Sequence, residues 1–312
     1  SIRLYRGIWS KRRLMRILVT GGAGFVGTNL IKRLVKEGHD VHSLDNYDSG
    51  KEENHIEGAT YYDCDIEQIT QWKNRDSAEL NEFDLCFHLA ALSRIQPSFS
   101  NPSETFRVNT KGTQAVLDWA KQNQVKVIYA GSSSRWHNHT ISPYATSKYL
   151  GEELCKMYKK SFNLDVEICR FYNVYGPYEI VEGDWAAVIG IWRNQVNNNE
   201  SITIVGDGEQ RRDFTHVDDI IDGLCKVSTT KHKQKDAWEL GTGNNYSINE
   251  VYEMFKTKFG VKCIHIAEQP GNYRRTKREN NNALELLGWK PQDRLLYYIN
   301  KLEKDENKLR NN

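Results

Sequence analysis

Over the first 170 residues the apolar positions switch between two periods. Short β-rich runs fall at 16–20, 41–44, 85–89, 126–130 and 166–170. Between them, apolar residues return every three or four positions, over 25–37, 105–123 and 144–161. In the second of these, Phe106, Thr113, Val116, Leu117 and Ala120 share one helical face; in the third, Leu150, Leu154, Met157 and Tyr158 do. Strands alternating with helices imply right-handed crossovers, so the pattern predicts an α/β fold built on a doubly wound parallel sheet. After about residue 174 the pattern turns irregular. Turn-rich stretches at 183–199, 206–213 and 241–246 separate short helices, which predicts a smaller α/β second lobe joined to the first by several crossings. The expected division gives 15–173 and 214–242 to the first domain and 174–213 and 243–312 to the second lobe.

Composition narrows the class. With 312 residues, 38% of them hydrophobic and 27% charged, the chain has enough apolar surface for a core and too little charge bias for general disorder. The net charge of +2 hides an asymmetry. Residues 1–14 hold five basic side chains and no acidic one, leaving 38 basic against 41 acidic in the body. An acidic body argues against a nucleic-acid partner, and no apolar run reaches membrane-spanning length. The arm lacks the apolar stretch of a secretory signal and is read as a basic N-terminal extension, with disorder expected. The six cysteines show no Cys-x-x-Cys spacing, so neither structural zinc nor a disulfide framework is expected, and buried thiols in a reducing cytoplasm fit best.

Two motifs carry chemistry. The run 16–20 leads directly into Gly21-Gly22-Ala23-Gly24-Phe25-Val26-Gly27 and then a helix. Glycines there permit a tight turn, close approach to a pyrophosphate and close helix–sheet packing. The helix N-terminus adds free N–H groups and the positive end of its dipole. Asp45, at the end of the next strand, suits the two hydroxyls of a ribose and disfavours a 2′-phosphate, so NAD is expected over NADP and the sheet reads as a Rossmann sheet. Further on, Tyr144 and Lys148 lie four residues apart on one helical face, just after Tyr129-Ala-Gly-Ser-Ser-Ser134. A neighbouring lysine and a positive nicotinamide ring would favour the phenolate and bring its pKa toward the working pH.

With these features the chain resembles the extended short-chain dehydrogenase/reductase family, in particular its NAD-dependent nucleotide-sugar 4-epimerases. The resemblance runs from residue 15 to about 298. It rests on the glycine turn, Asp45-Asn46, Asp65-Ile66, His88-Leu-Ala-Ala-Leu92, Asn109, Ser132-Ser-Ser, Tyr144/Lys148, Arg170-Phe-Tyr-Asn-Val-Tyr-Gly-Pro177 and Gly206-Asp-Gly-Glu-Gln-Arg-Arg-Asp-Phe214. The resemblance implies that Gly21, Gly24, Phe25, Val26 and Gly27 meet the pyrophosphate and Asp45 and Asn46 the adenosine ribose. It gives the adenine to Asp65 and Ile66. It lines the cofactor path with Leu89, Ala90 and Ala91, supported by Asn109, and puts Phe171 near the nicotinamide. It gives catalysis to Tyr144, Lys148 and Ser132, with Ser133 assisting. Asn173, Ala187 and Val188 approach the sugar nucleotide, and Arg212 and Arg274 clamp its diphosphate. No metal is implied. The implied reaction inverts C4 of a nucleotide sugar, a UDP-sugar by resemblance, through a transient 4-keto sugar, in a homodimer packed through 105–123 and 144–161, within nucleotide-sugar supply for polysaccharide biosynthesis.

Relatives that eliminate water carry an Asp-Glu pair after the first serine, and decarboxylases carry a Glu; here Ser133 and Ser134 weaken both readings. A sugar-nucleotide oxidoreductase and a non-catalytic NAD-binding scaffold also compete with the epimerase. The chain departs from the family in two places. The loop between Ser132 and Tyr144 is short and carries His137 and His139, and Lys277-Arg-Glu-Asn280 stands where an Asp-containing segment is usual. Trp185-Ala-Ala-Val-Ile189 is similar to the segment of N-acetylhexosamine epimerases, which inclines the sugar toward an N-acetylhexosamine or a hexose.

Overall fold

A computed structural model of the chain describes residues 14–74 and 82–304. Residues 1–13, with the reading of the basic arm, lie outside the described residues.

Seven parallel strands form the central sheet: β1 (Arg16–Thr20), β2 (Asp40–Asp45), β3 (Ala59–Asp63), β4 (Leu85–His88), β5 (Lys126–Ser132), β6 (Val166–Phe171) and, from late in the chain, β11 (Trp238–Leu240). Their order is β3-β2-β1-β4-β5-β6-β11, so the winding reverses between β1 and β4. In such sheets ligands bind in the crevice at that switch, beyond the strand C-termini. Ile17, Leu18 and Val19 of β1 are fully buried, as expected of a central parallel strand covered on both faces. One face packs Leu18, Val127 and Ile168 against Val116, Leu117 and Trp119. The other packs Ile17, Val19 and Ile128 against Leu30, Ile31, Ile220 and Leu224. Burying each such side chain stabilises the fold by about 1.5–3 kcal/mol.

The helices flanking the sheet are α1 (Phe25–Lys36), α2 (Ile95–Ser100), α3 (Pro102–Phe106), α4 (Thr113–Asn123), α5 (Pro143–Phe162) and α7 (Val217–Thr229). The second lobe contains α6 (Val188–Asn197) and three two-stranded pairs: β7 (Val174–Tyr175) with β10 (Thr215–His216), β8 (Ile202–Val205) with β13 (Cys263–Ile266), and β9 (Arg211–Arg212) with β12 (Tyr246–Ser247). A separate cluster of Ile189, Trp192, Ile202, Phe214, Val251 and Phe255 forms its core. Within 243–312, Ala283 and Trp289 pack into the sheet's own cluster instead.

The structure differs from the sequence pattern at three elements. Strands β3 and β11 carry no readable run: β3 is half exposed, and β11 has three residues. The single helix expected over 105–123 is interrupted, because Arg107–Gly112 is a π-helical turn between α3 and α4. Two contacts hold that turn. Asn109 accepts from Leu92 N at 2.8 Å and donates to Leu92 O at 2.9 Å. Gly112 leaves space for Ile66, whose Cδ1 lies 2.4 Å from where a Cβ would stand. Such turns recur at functional sites.

Candidate active site

The glycine turn is shaped by contacts that no side chain could share. Gly21 has φ +72°, and a Cβ on it would lie 2.8 Å from Ala90 N. A Cβ on Gly27 would lie 2.1 Å from Gly21 O, so α1 docks on the turn only through glycine. At Gly24 the nearest atom to a Cβ would be Gly21 O at 3.4 Å, which leaves its outer side open. No side chain caps α1, so the amides of Phe25, Val26 and Gly27 lack a side-chain acceptor. An open glycine turn ending in an uncapped helix N-terminus fits the pyrophosphate of a dinucleotide.

Asp45 is buried at the end of β2 and accepts from Ala23 N and Tyr47 N, each at 2.9 Å. Burial raises its pKa, against the pull of these amides. Each oxygen keeps lone-pair capacity for a ribose hydroxyl. Asn46 beside it is exposed. Asp65 is held by Arg107 at 3.0 Å, and Ile66 is buried against Gly112. Under the path of Leu89, Ala90 and Ala91 runs a closed network. Thr20 Oγ1 bonds His88 Nδ1 at 2.7 Å and accepts from Ala90 N at 3.2 Å, and His88 Nε2 bonds Thr113 Oγ1 at 3.0 Å. Burial lowers the His88 pKa to about 3, so this ring is neutral. Asn109 joins the network to the reacting side by donating to Ser147 Oγ at 3.0 Å.

The reacting groups meet at the C-terminal end of β5. Tyr144, in the first turn of α5, donates from Oη to Ser132 Oγ at 3.2 Å. Ser134 N also donates to that oxygen, at 3.2 Å. Ser133 is buried beside them, and Phe171 pairs with Ser132 in the β5–β6 register. Lys148 is buried one turn after Tyr144, donates to Ala130 O at 2.6 Å and lies 4.6 Å from the centre of the Tyr129 ring. Burial lowers its pKa to about 8, against the raising effect of Glu152.

The expected depression of the tyrosine pKa is not what the protein's own groups produce. Burial pushes the Tyr144 phenol above its ordinary value, while the Ser132 hydrogen bond and the charge of Arg94 pull it back and Glu152 adds to the rise. The cation that pulls the phenol back is Arg94, while Lys148 donates to Ala130 O.

On the substrate side, Asn173 follows β6 and accepts from Thr276 Oγ1 at 3.4 Å. Ala187 is the N-cap of α6, Val188 opens the helix, and no side chain caps it. Arg212 is half buried in β9, and burial lowers its pKa to about 10. Its Nη1 donates to Arg211 O at 2.9 Å. Arg274 is largely exposed and pairs with Asp207 at 2.8 Å. Arg278, in the unusual 277–280 segment, is structural and donates to Gly241 O at 2.6 Å and Asn280 O at 3.0 Å.

The short loop is pinned by rings. His137 stacks on Tyr273 with centroids 4.1 Å apart, and His139 stacks on Tyr149 at 4.1 Å. Arg135 lies 4.2 Å from the centre of the Tyr149 ring and pairs with Glu153 at 2.9 Å. The two histidines therefore serve different walls.

Sequence reasoning missed Glu152 and Arg94. Glu152 is buried, accepts from Ser132 N at 3.4 Å and pairs with Arg170 at 2.7 Å. Arg170 also reaches Asp236 at 2.6 Å and Glu239 at 2.9 Å. The available signal for Glu152 was its place four residues after Lys148, on the same helical face. Arg94 had none beyond its nearness to the 88–92 motif.

The NAD dependent epimerase/dehydratase family description matches residues 17–241. The putative UDP-glucose 4-epimerase of Methanocaldococcus jannaschii is 32% identical over 295 residues, which cover 88% of this chain and 93% of that protein. The UDP-glucose 4-epimerase of Mycolicibacterium smegmatis is 30% identical, over 89% of this chain and 94% of its own length. Among solved structures, the UDP-glucose 4-epimerase of Thermotoga maritima with UDP-glucose matches with a TM-score of 0.86 at 28% identity, covering 92% of this chain and 96% of its own.

Proposed function

The chain belongs to the NAD dependent epimerase/dehydratase family, and on that premise we propose that it is an NAD-dependent UDP-sugar 4-epimerase. The observation that carries this reading is the Tyr144–Ser132 contact at 3.2 Å, with Lys148 buried one turn away at the strand ends that face the glycine turn. NAD, when bound, supplies the hydride acceptor and donor and a positive ring beside the phenol. Gly21, Gly24, Phe25, Val26 and Gly27 hold its pyrophosphate, Asp45 and Asn46 its ribose, and Asp65 and Ile66 its adenine. Leu89, Ala90, Ala91 and Phe171 shape the path to the reacting carbon.

Tyr144 Oη removes the proton of the sugar 4-hydroxyl as C4 is oxidised and returns it after the 4-keto sugar has turned. Ser132 Oγ holds the reacting oxygen, Ser133 lines the same turn, and Lys148 fixes the local charge. Arg212 takes the diphosphate, alongside Asn173, Ala187 and Val188. The residues following Ser132 are Ser133 and Ser134, so no carboxylate there is available for elimination. This favours epimerisation over dehydration and decarboxylation. A homodimer is part of the proposal: α5 leaves Leu150 and Met157 exposed, seven residues apart on one face, as a helix-pairing surface would require. Among the described residues no helix is long and apolar enough to cross a membrane.

The test is incubation of the purified protein, without added cofactor, with UDP-glucose, UDP-N-acetylglucosamine and UDP-glucuronate in turn, followed by proton NMR. Appearance of the C4 epimer of at least one substrate is expected. Net NADH formation, or loss of water from the sugar, would favour the oxidoreductase or dehydratase reading.

A further inference from the structure

Two cations are buried behind the reacting groups, and their surroundings differ. Arg170 meets three carboxylates, those of Glu152, Asp236 and Glu239. Lys148, only 5% exposed, has no carboxylate within ion-pair distance among the described residues. Its hydrogen bond goes to a carbonyl, Ala130 O at 2.6 Å. Glu152, four residues further along α5, gives its carboxylate to Arg170 at 2.7 Å and faces Arg135 at 3.9 Å. An ammonium taken out of water without a counter-ion is driven to shed its proton.

What lies against Lys148 instead is the ring of Tyr129. Lys148 Nζ stands over that ring, 4.6 Å from its centre, which is cation–π distance. The tyrosine is 2% exposed, and a desolvated pair of this kind is stronger than an exposed one. The ring is fixed from two sides. Strand β5 sets Tyr129 in register with His88 of β4, and the two rings pack 5.6 Å apart. His88 is itself held by Thr20 and Thr113. From the other side, α5 brings Lys148 and Gly151, both buried and three residues apart on one helical face. A Cβ on Gly151 would stand 2.2 Å from Tyr129 Oη and 3.0 Å from its Cζ. Glycine inside a helix is destabilising relative to alanine, and here it admits the ring where alanine would collide with it. Close approach at Gly151 lays Lys148 over the ring face one turn earlier.

We propose that Tyr129 is a positioning residue of the active site, whose ring face holds the Lys148 ammonium charged and in place one helical turn from Tyr144. The use of that charge in turnover rests on the proposed epimerase reading; the contact between ring and ammonium does not. Burial lowers the lysine pKa to about 8, so the strength of the ring face decides how much ammonium survives at working pH. The other titratable groups around it leave that role to Tyr129. His88, on β4, is neutral because burial and the lysine charge lower its pKa. Cys155, on α5, is a thiol that burial keeps protonated. Tyr144, on α5, is a phenol whose pKa burial raises. Glu152, on α5, favours the ammonium, but Arg170 of β6 and Arg135 hold its carboxylate.

The experiment replaces Tyr129 by phenylalanine and by phenylalanines carrying one, two and three ring fluorines. Fluorine draws charge from the ring face and hardly alters its shape, so packing is kept while attraction for a cation weakens stepwise. Two quantities are read on the purified protein. One is the titration of Lys148 itself, from its 13Cε NMR signal, assigned by the loss of that signal in Lys148→Arg. The other is the alkaline limb of kcat with a UDP-sugar that the protein epimerises. Tyr129→Phe keeps the face and should hold both midpoints within about 0.3 pH unit of wild type. Each added fluorine should lower the Lys148 midpoint, by about one pH unit for three, and the alkaline limb should move with it. Tyr129→Met, which fills the site without a π face, should move both at least as far. Should that variant fail to fold, the fluorinated series decides alone. A Lys148 midpoint that stays put across the series would overturn the proposal and make Tyr129 a packing residue. So would a midpoint that moves while the alkaline limb of the active protein does not. If no UDP-sugar is epimerised, the epimerase reading fails, and the Lys148 titration alone supports or overturns the hold of Tyr129 on the ammonium.

Discussion

On the cofactor side of the cleft, polar groups are closed against one another: Thr20 with His88, His88 with Thr113, Asn109 with the Leu92 backbone, Asp45 with two amides. Around Arg212, which among the described residues pairs with no carboxylate, the walls are ring stacks of His137 on Tyr273 and His139 on Tyr149. The first half is finished by the protein. On the proposed reading, the second is completed by the sugar nucleotide. Preorganised groups suit a cofactor that stays through the cycle, whereas unpaired cations discriminate among substrates by the charge each one brings.

Tyr144, between the two halves, gives the largest expected effect. Tyr144→Phe should lower kcat by about 1,000-fold while the protein still carries NAD, measured by epimer formation and by cofactor released on denaturation. Loss of bound NAD in that variant would mean that the tyrosine belongs to the cofactor side.

Glu152→Gln breaks the support beneath both halves. It leaves buried Arg170 short of one acid, and about 1–3 kcal/mol of stability should be lost, read from denaturant unfolding. A loss under about 1 kcal/mol would show that Asp236 and Glu239 suffice for Arg170.

Arg212→Gln should act on one side only, raising KM for the UDP-sugar by about 30-fold without changing NAD content. A fall in NAD content would erase the distinction between the halves.

His88 gives the smallest effect and probes the closed side. Its pKa is about 3 in the fold and 6.5 when unconstrained, so below pH 6.5 the unfolded chain takes up a proton that the native ring refuses. Stability should therefore fall by about 2 kcal/mol between pH 7 and pH 5 from this group, and His88→Asn should remove that share of the slope.

The same contrast explains what the sequence could reveal. Gly21, Gly24 and Gly27 are legible because the turn needs glycine where a Cβ would collide or shut its open side. Tyr144 and Lys148 are legible because their spacing is that of one helical turn. The π-helical turn at Arg107–Gly112 depends on Leu92, seventeen residues from Asn109, and no local pattern records that clamp. Arg274 pairs with Asp207, a partner distant in sequence that its own motif does not announce. Arg94 is illegible because a lone arginine after an apolar run is indistinguishable from a surface charge. Arg94 pulls on the Tyr144 pKa without any sequence spacing to announce it.

The central claim, a 4-keto sugar formed and reduced again at one site by a retained cofactor, is tested by following the C4 hydrogen. A UDP-sugar that the protein epimerises is prepared with deuterium at C4, turned over in ordinary water without added NAD, and its product analysed by NMR and mass spectrometry. Retention of deuterium at C4 of the inverted product is predicted, because the same hydrogen leaves and returns. Replacement of the deuterium by solvent hydrogen would contradict the account.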